Sequence, residues 1–257
     1  ADLQQPLSLF EKVDIAVLLG LNKVDKSRDS TIRRFAFKSR GSVSGNINLR
    51  RNPSVEDIIY DATILPQGWQ LEEVTIATDA YTADQVVDAW YAGLDFNFAE
   101  TLRLGGGVRS ESSQQSVSTF NLFDPDRNPI LTELDTDDIF PYATATWFHG
   151  EHQVRFGYAR TINRPDFKEL SESLYKDPIL DRLVKGNPDL IPAYLTHYDL
   201  RWDYYFNPGE FISLGVFQKK FEDPIESVIL ASAESDLTSF DNAEAADNFG
   251  VEFELYK

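Results

Sequence analysis

The chain has 257 residues, with 24 Lys+Arg against 42 Asp+Glu and a formal charge of −18 at pH 7. That balance argues against nucleic acid as a partner, because neutralising phosphates takes clustered Lys and Arg. The chain has no Cys and only three His, which removes disulfide frameworks, thiolate metal sites and Cys nucleophiles and leaves little for a His-rich centre. Met is absent even at position 1, and the last residues, Phe253-Glu254-Leu255-Tyr256-Lys257, fall inside an alternating pattern. Both features predict a processed chain or an internal fragment.

The first apolar run, Ile15-Ala16-Val17-Leu18-Leu19-Gly20-Leu21, is also the longest. A helical membrane span needs roughly 20 such residues, and no signal peptide is recognisable. A membrane-crossing strand leaves no long run, because its side chains alternate between two faces. The 18 Phe, 11 Tyr and 4 Trp suit strands and the aromatic girdles of such a barrel.

Eight strands are expected in chain order: Val13–Leu21, Trp90–Phe98, Leu102–Arg109, Ala143–Phe148, Val154–Ala159, Tyr198–Tyr204, Ile212–Val216 and Phe249–Leu255. In Tyr198–Tyr204 one face is Tyr, Leu, Trp, Tyr and the other Asp, Arg, Asp. Helical periodicity is confined to Phe167–Val184, enough for a turn or two of helix inside a loop. Three connections are short: Ala99-Glu100, His149-Gly150-Glu151 and Asn207-Pro208-Gly209. Long polar stretches lie between them at about 25–85, 112–137, 163–194 and 223–247. An alternation of tight turns and long loops is the pattern of an outer-membrane barrel, with one tight rim and one extended rim. Long structureless loops inside a compact soluble domain are uncommon.

The polar faces carry Arg103, Arg109, Asp199, Arg201, Asp203, Glu252 and Glu254, whereas the apolar faces carry almost no mid-strand charge. Leu94, Phe96, Leu102, Leu104, Phe156, Leu200, Trp202, Leu214 and Phe253 are therefore read as lipid-facing. A half-buried soluble sheet would alternate in the same way; the loop order decides between the two.

From about 138 to 255 the chain resembles the β-barrel of TonB-dependent outer-membrane receptors. Phe156-Gly157-Tyr158-Ala159-Arg160-Thr161-Ile162-Asn163-Arg164-Pro165-Asp166-Phe167 resembles the family segment ending in R-P-D/E-F. Gly186-Asn187-Pro188-Asp189-Leu190 with Pro192 resembles G-N-P-D/N-L-x-P, and Tyr198-Asp199-Leu200-Arg201-Trp202 resembles the following strand. The next strand is matched by Phe211–Lys220, closed by Asp223-Pro224-Ile225-Glu226. The strand after that is matched by Asn242-Ala243 with Gly250-Val251-Glu252. In the N-terminal half, Leu19–Lys23 running into Asp25 and Leu102–Arg109 ending in G-V-R fit the same family. The resemblance implies an all-β fold, an antiparallel transmembrane β-barrel segment of about eight long strands with short periplasmic turns and long extracellular loops. One domain, residues 1–257, is expected. Family barrels have roughly 22 strands, and no plug domain, TonB box or terminal aromatic strand is recognisable, so the chain reads as an internal slice.

Asp124-Pro125-Asp126-Arg127-Asn128 has the alternate acidic and amide positions that open a calcium loop. However, Pro129 stands where that loop needs Gly and Asp135 where it needs Glu, and Glu133, Asp135, Asp137 and Asp138 extend the acidic run. A solvated acidic loop is the plainer reading. His149-Gly150-Glu151-His152 sits at a tight turn, and a metal needs three or four convergent ligands. Gly105-Gly106-Gly107 lacks the Lys-Ser/Thr and helix of a phosphate loop; a strand packed close to a plug is expected instead. No catalytic, cofactor or metal residues are expected, and the chain does not read as an enzyme.

The resemblance implies uptake of a scarce, bulky solute at the Gram-negative outer membrane: a ferric siderophore, cobalamin or a glycan. Its partners would be outer-membrane lipid, the protein's own plug domain, the TonB complex and an unknown small solute. Loop aromatics Phe120, Phe123, Phe167, Tyr175 and Tyr194 are candidates to stack on a catechol or sugar ring, against a plain loop-packing role. The tips at Glu100, Gly150 and Gly209 are expected to face the periplasm, and the loops near Asp126, Lys176 and Ser235 the outside. Two other classes stand beside this one. One is a non-transporting barrel such as a porin or adhesin, which an upstream plug would exclude. The other is a soluble secreted β-rich binding module, which detergent-free extraction would favour.

Overall fold

The computed structural model describes residues 2–10, 13–39, 69–99, 101–126, 128–177, 182–230 and 237–257. In chain order the elements are β1 (Asp2–Phe10), β2 (Val13–Thr31), β3 (Phe35–Ser39), β4 (Trp69–Glu73), β5 (Ala80–Phe98), β6 (Leu102–Phe120), β7 (Ile130–His149) and β8 (His152–Asn163). Then follow α1 (Phe167–Leu170), β9 (Leu174–Asp177), β10 (Arg182–Lys185), β11 (Ala193–Asn207), β12 (Glu210–Glu222), β13 (Ile225–Leu230), β14 (Leu237–Asn242) and β15 (Ala245–Tyr256). Nine strands form one antiparallel sheet in the order β1-β2-β5-β6-β7-β8-β11-β12-β15. The eight expected strands are all in it; β1 is the additional one. Pro6 sits in β1, an outer strand among the described residues, where a missing N–H is tolerated.

The register explains why the alternation is so regular. One row across eight strands reads Ile15, Phe96, Leu104, Ala145, Phe156, Leu200, Val216, Val251. The next reads Val13, Phe98, Leu102, Trp147, Val154, Trp202, Leu214, Phe253. Every position in both rows is apolar. A slip of one residue in any strand would bring the opposite, largely polar face into the band. The nine residues read as lipid-facing all lie on this face, and most of them are exposed, Leu200 at 46% and Phe253 at 69%. In a water-soluble sheet such rows would need a covering layer; here no described element packs over them.

The band ends in aromatic rings at the tight-turn edge. Trp147 stacks on His149 at 5.3 Å between ring centres, and His152 on Tyr204 at 4.7 Å. The indole N–H of Trp202 donates to Nδ1 of His152 at 3.2 Å. The two His of the His-Gly-Glu-His turn thus belong to an aromatic girdle. The β7–β8 and β11–β12 turns rest on Gly150 (φ +55°) and Gly209 (φ +82°), a left-handed region that glycine enters freely. Glu100 lies outside the described residues, but its neighbour Ala99 has φ +42°. All three turns lie at one end of the sheet.

On the opposite face, charges pair across strands. Arg155 and Arg201 both bond the fully buried Asp203, at 2.6 and 2.8 Å, and Arg201 reaches Glu254 at 3.3 Å. Within the wall itself the glycine run has a local cause. A Cβ on Gly107 would lie 2.5 Å from the Ala92 carbonyl and 2.8 Å from a Tyr142 ring atom, and one on Gly93 would lie 2.5 Å from the Tyr142 hydroxyl. The glycines leave room for Tyr142 to lie across the wall.

The expected long loops are shorter than the polar stretches imply. β2, β5 and β6 have 19 residues each and β7 has 20, about twice the 9–11 that cross the hydrocarbon. Residues 25–31, 80–85, 112–120 and 130–137 are therefore strand. Their outer face meets solvent, so no apolar stripe marks them in the sequence. Their inner face is covered by a cap: α1, and a four-stranded sheet in the order β13-β14-β10-β9. Tyr81, Ala83 and Val117 of the wall and Phe167, Leu170 and Leu190 of the cap form one buried core, with Ile225 and Phe240 packed against it. The hairpin β3–β4 joins this end through Arg34, whose guanidinium bonds the buried Asp79 at 2.8 Å and the Leu174 carbonyl. The helical turn expected in Phe167–Val184 is α1, with two short strands after it.

Candidate functional site

The residues of the R-P-D-F and G-N-P-D-L segments build the cap's attachment. Asp166 caps α1: its carboxylate accepts from the Lys168 N–H at 3.3 Å, and Glu169 accepts from the Asp166 N–H at 2.8 Å. This is a reciprocal capping box. The Pro165 carbonyl accepts from Gln115 at 2.9 Å, and Gln115 accepts from Gln85 at 3.1 Å, so two buried wall amides hold the segment. Gly186 follows because carbonyls of Ser171, Lys168 and Glu169 all lie within 2.6 Å of where a Cβ would stand. The Asn187 N–H donates to the Glu169 carbonyl at 2.6 Å and its side chain to the Phe240 carbonyl at 3.0 Å. Asn242 then ties three strands of chain, accepting from the Ile191 N–H and donating to the Ile191 and Asp223 carbonyls at 2.7–3.0 Å.

Arg164 anchors the start of this segment to the wall. Its guanidinium donates to Glu111 at 2.8 Å, and Arg109 donates to the other oxygen of Glu111 at 2.6 Å. Asp138 lies 3.7 Å from Arg164, an ion pair but too long for a hydrogen bond, and accepts from the Tyr194 hydroxyl at 2.8 Å. Burial alone would raise the Glu111 carboxyl; the bonds from Arg109 and Arg164 outweigh it and hold it below the usual range. Burial, then the bond to Asp138, raises the Tyr194 hydroxyl. The cluster stands where the β7–β8 ladder has ended. That ladder runs only from Tyr142–Ala159 to His149–His152, and Pro141, the next residue of β7, has no N–H to continue it.

Between the cap and the wall lies an open cleft of about 690 Å³. Lys26, Arg28, Arg109 and Arg164 bring four positive groups to it; Glu111, Asp166 and Glu169 bring three negative ones. Arg28 pairs with Asp166 at 3.1 Å and lies 5.6 Å from the centre of the Phe167 ring. Gln85, Gln115 and Asn163 complete a surface of alternating donors and acceptors with one aromatic floor.

The five loop aromatics do not converge. Phe167 lines the cleft but is buried in the core. Phe120 ends β6, Phe123 is 61% exposed in the turn after it, and Tyr175 lies in β9 with Lys168 5.3 Å over its ring. Tyr194 carries Arg160 at 5.1 Å and faces the Arg164 cluster. Asp124 and Asp126 are exposed, and Arg127 lies outside the described residues, as does Ser235. Lys26, Arg28, Gln85 and Gln115 went unread in the sequence. Arg109 and Arg164 stood inside the quoted G-V-R and R-P-D-F motifs, and Arg109 also on the polar face of its strand.

The family model for the TonB-dependent receptor-like β-barrel matches residues 23–257. The chain belongs to this family. Its members are transporters rather than enzymes, receptors of the Gram-negative outer membrane. Among solved structures, the Serratia marcescens hemophore receptor HasR, in complex with its hemophore HasA and heme, aligns with a TM-score of 0.62 at 14% identity. The alignment covers 100% of this chain and 38% of that one. The ferric-catecholate import receptor Fiu from E. coli K12 aligns with a TM-score of 0.59 at 11% identity, over 99% of this chain and 34% of that one. At these identities the likeness is one of fold, and the chain spans little more than a third of either receptor. No curated protein matches the sequence.

Proposed function

We propose that this chain is part of the barrel wall of an outer-membrane TonB-dependent transporter that takes up a scarce, bulky solute. The observation that carries the reading is the pair of unbroken apolar rows across eight strands, uncovered by any described element, with the tight turns gathered at one end. A closed wall satisfies all backbone groups between strands, as hydrocarbon demands. The turn end faces the periplasm, and the capped end faces outside. Residues 1–257 form one barrel domain, and the plug and the contact with the TonB complex belong to other parts of the same protein. The cleft under the cap receives the solute: Phe123 makes an early contact, Arg28 and Phe167 a later one, and Phe120, Tyr175 and Tyr194 flank the route. The solute is a ferric siderophore, cobalamin or a glycan; the hemophore receptor and the ferric-catecholate import receptor named above share the fold of this wall.

The test is growth of cells carrying the full-length protein on each solute class, with and without a working TonB complex. Growth on one class that disappears without TonB is expected. Equal growth in both backgrounds would overturn the transporter reading in favour of a passive barrel.

A further inference from the structure

A seam opens inside the nine-stranded sheet. β7 stays paired with β6 along nearly its whole length, to Thr119–Ile130, and β8 stays paired with β11 up to Asn163–Ala193. The ladder between β7 and β8 stops at Tyr142–Ala159, although its register would carry Asp138 opposite Asn163. The two halves of the wall thus part at Pro141, and the chain after Asn163 turns away into α1. Arg164 and Tyr194 span the foot of the seam through Asp138. Above that bridge, residues 130–137 of β7 have no described strand on the β8 side. Alternate residues of an antiparallel strand turn N–H and C=O to the same side, so about four residues offer free backbone groups to a further strand.

The side chains of this edge select the strand that fits. Leu131, Glu133, Asp135 and Asp137 are exposed on the outer face, while Thr132, Leu134 and Thr136 are half-buried on the inner one. None of the three carboxylates pairs with a described Lys or Arg. Glu133 lies in one cross-strand row with Ser116 and Asp84, and a groove of about 350 Å³ runs beside the edge, lined by Asp84, Gln114, Glu133 and Asp135. Like charges set opposite each other across strands are destabilising, and opposite charges are favourable. A second copy of this chain, with a charge of −18, is repelled. The same single-sign edge attracts a basic strand.

We propose that residues 130–137 of β7 are a docking edge for an extended, basic segment of a polypeptide partner, which adds to the wall as a further strand. Its backbone bonds to β7. Every second side chain, Lys or Arg, faces Glu133, Asp135 and Asp137, and the side chains between them pack toward Leu134. Placement of this edge outside the cell rests on the sidedness proposed above.

The full-length protein in phosphatidylcholine nanodiscs is titrated with three fluorescent eight-residue peptides, and binding is read by anisotropy. One peptide alternates Lys with Val, and the second carries Glu in place of Lys. The third is the Lys peptide N-methylated at every residue, which keeps the charge and removes the backbone donors. The Lys peptide binds and the Glu peptide does not. N-methylation weakens binding roughly tenfold or more, as does the combined variant Glu133→Gln, Asp135→Asn, Asp137→Asn. Hydrogen exchange with the Lys peptide bound shows new protection among the amides of residues 130–137 and none at Leu200. Equal binding of the methylated peptide reduces the edge to a plain negative patch and overturns the added strand. Absent binding of the Lys peptide, undiminished binding by the triple variant, or protection confined to other residues also overturns the proposal. Labelling of Asp126→Cys by an impermeant maleimide in intact cells reads the sidedness separately. An unlabelled cysteine overturns the outside placement, whatever the peptide result.

Discussion

Replacing Arg164 by Met keeps the side-chain stem and removes the charge that ties the cap to the wall. Arg164 and Glu111 are almost equally shielded, with side chains 13% and 12% exposed, so solvent screening discounts the pair little. A charge-assisted hydrogen bond contributes about 1.5–3 kcal/mol, and breaking a buried pair costs about 3–5 kcal/mol. The cost falls below the buried-pair range and near the top of the single-bond one, because Glu111 keeps its 2.6 Å bond from Arg109 and Asp138 keeps Tyr194. An expected cost of about 2–3 kcal/mol makes local opening of the cap roughly 30- to 150-fold more frequent. Hydrogen exchange in the full-length protein reads this at the amides of Leu170, Ser171 and Asn187, which bond to the carbonyls of Asp166, Phe167 and Glu169. Those amides exchange faster by that factor, while the wall amides of Leu200 and Trp202 do not change. Unchanged exchange in the cap would refute the idea that Arg164 holds it, and equal acceleration in cap and wall would mean that it holds the whole barrel.

Acidification acts on the same cluster. The Glu111 carboxyl is depressed below its ordinary value of 4.5, so its stabilisation is complete above that pH and is lost as pH falls through the lower, folded value. Cap exchange therefore accelerates below about pH 4.5, and Glu111→Gln flattens that dependence. Leu200→Lys destabilises the folded protein in lipid by about 2–4 kcal/mol near the midplane, measured by reversible unfolding in vesicles, whereas Arg201→Lys on the opposite face costs much less. Asn242→Ala strands three backbone groups at 2.7–3.0 Å. Proteolysis should then cut first near Ile191 or Asp223, at a cost of about 0.5–1.5 kcal/mol per bond lost, since two of the three bonds are exposed and water replaces the partner.

The wall was readable because lipid or a covered core enforces period-2 alternation, and Tyr198–Trp202 shows it in five residues. β1 was missed because its pattern, Gln4-Gln5-Pro6, breaks both alternation and strand propensity. The strand extensions were missed for a different reason. Asp25-Lys26-Ser27-Arg28-Asp29 is polar on both faces, and only the paired residues 82–86 make it a strand. The motifs were read correctly as family marks but not for what they do. Pro165, Gly186, Asn187 and Asn242 are clasps whose partners lie 15 to 53 residues away in sequence, and Asp166 caps α1 locally. The cleft was unreadable because its cations come from β2, β6 and the residue just after β8, which only the sheet order brings together.

The central claim is that one face of this sheet meets hydrocarbon. It is tested most directly by single fluorophores at positions 200 and 201 of the full-length protein in vesicles of brominated lipid. Leu200 lies in the apolar row between Phe156 and Val216, while Arg201 points to the other face and bonds Asp203. Strong quenching at 200 with little at 201 is the predicted result. Equal quenching at both positions, or at neither, would contradict a membrane wall.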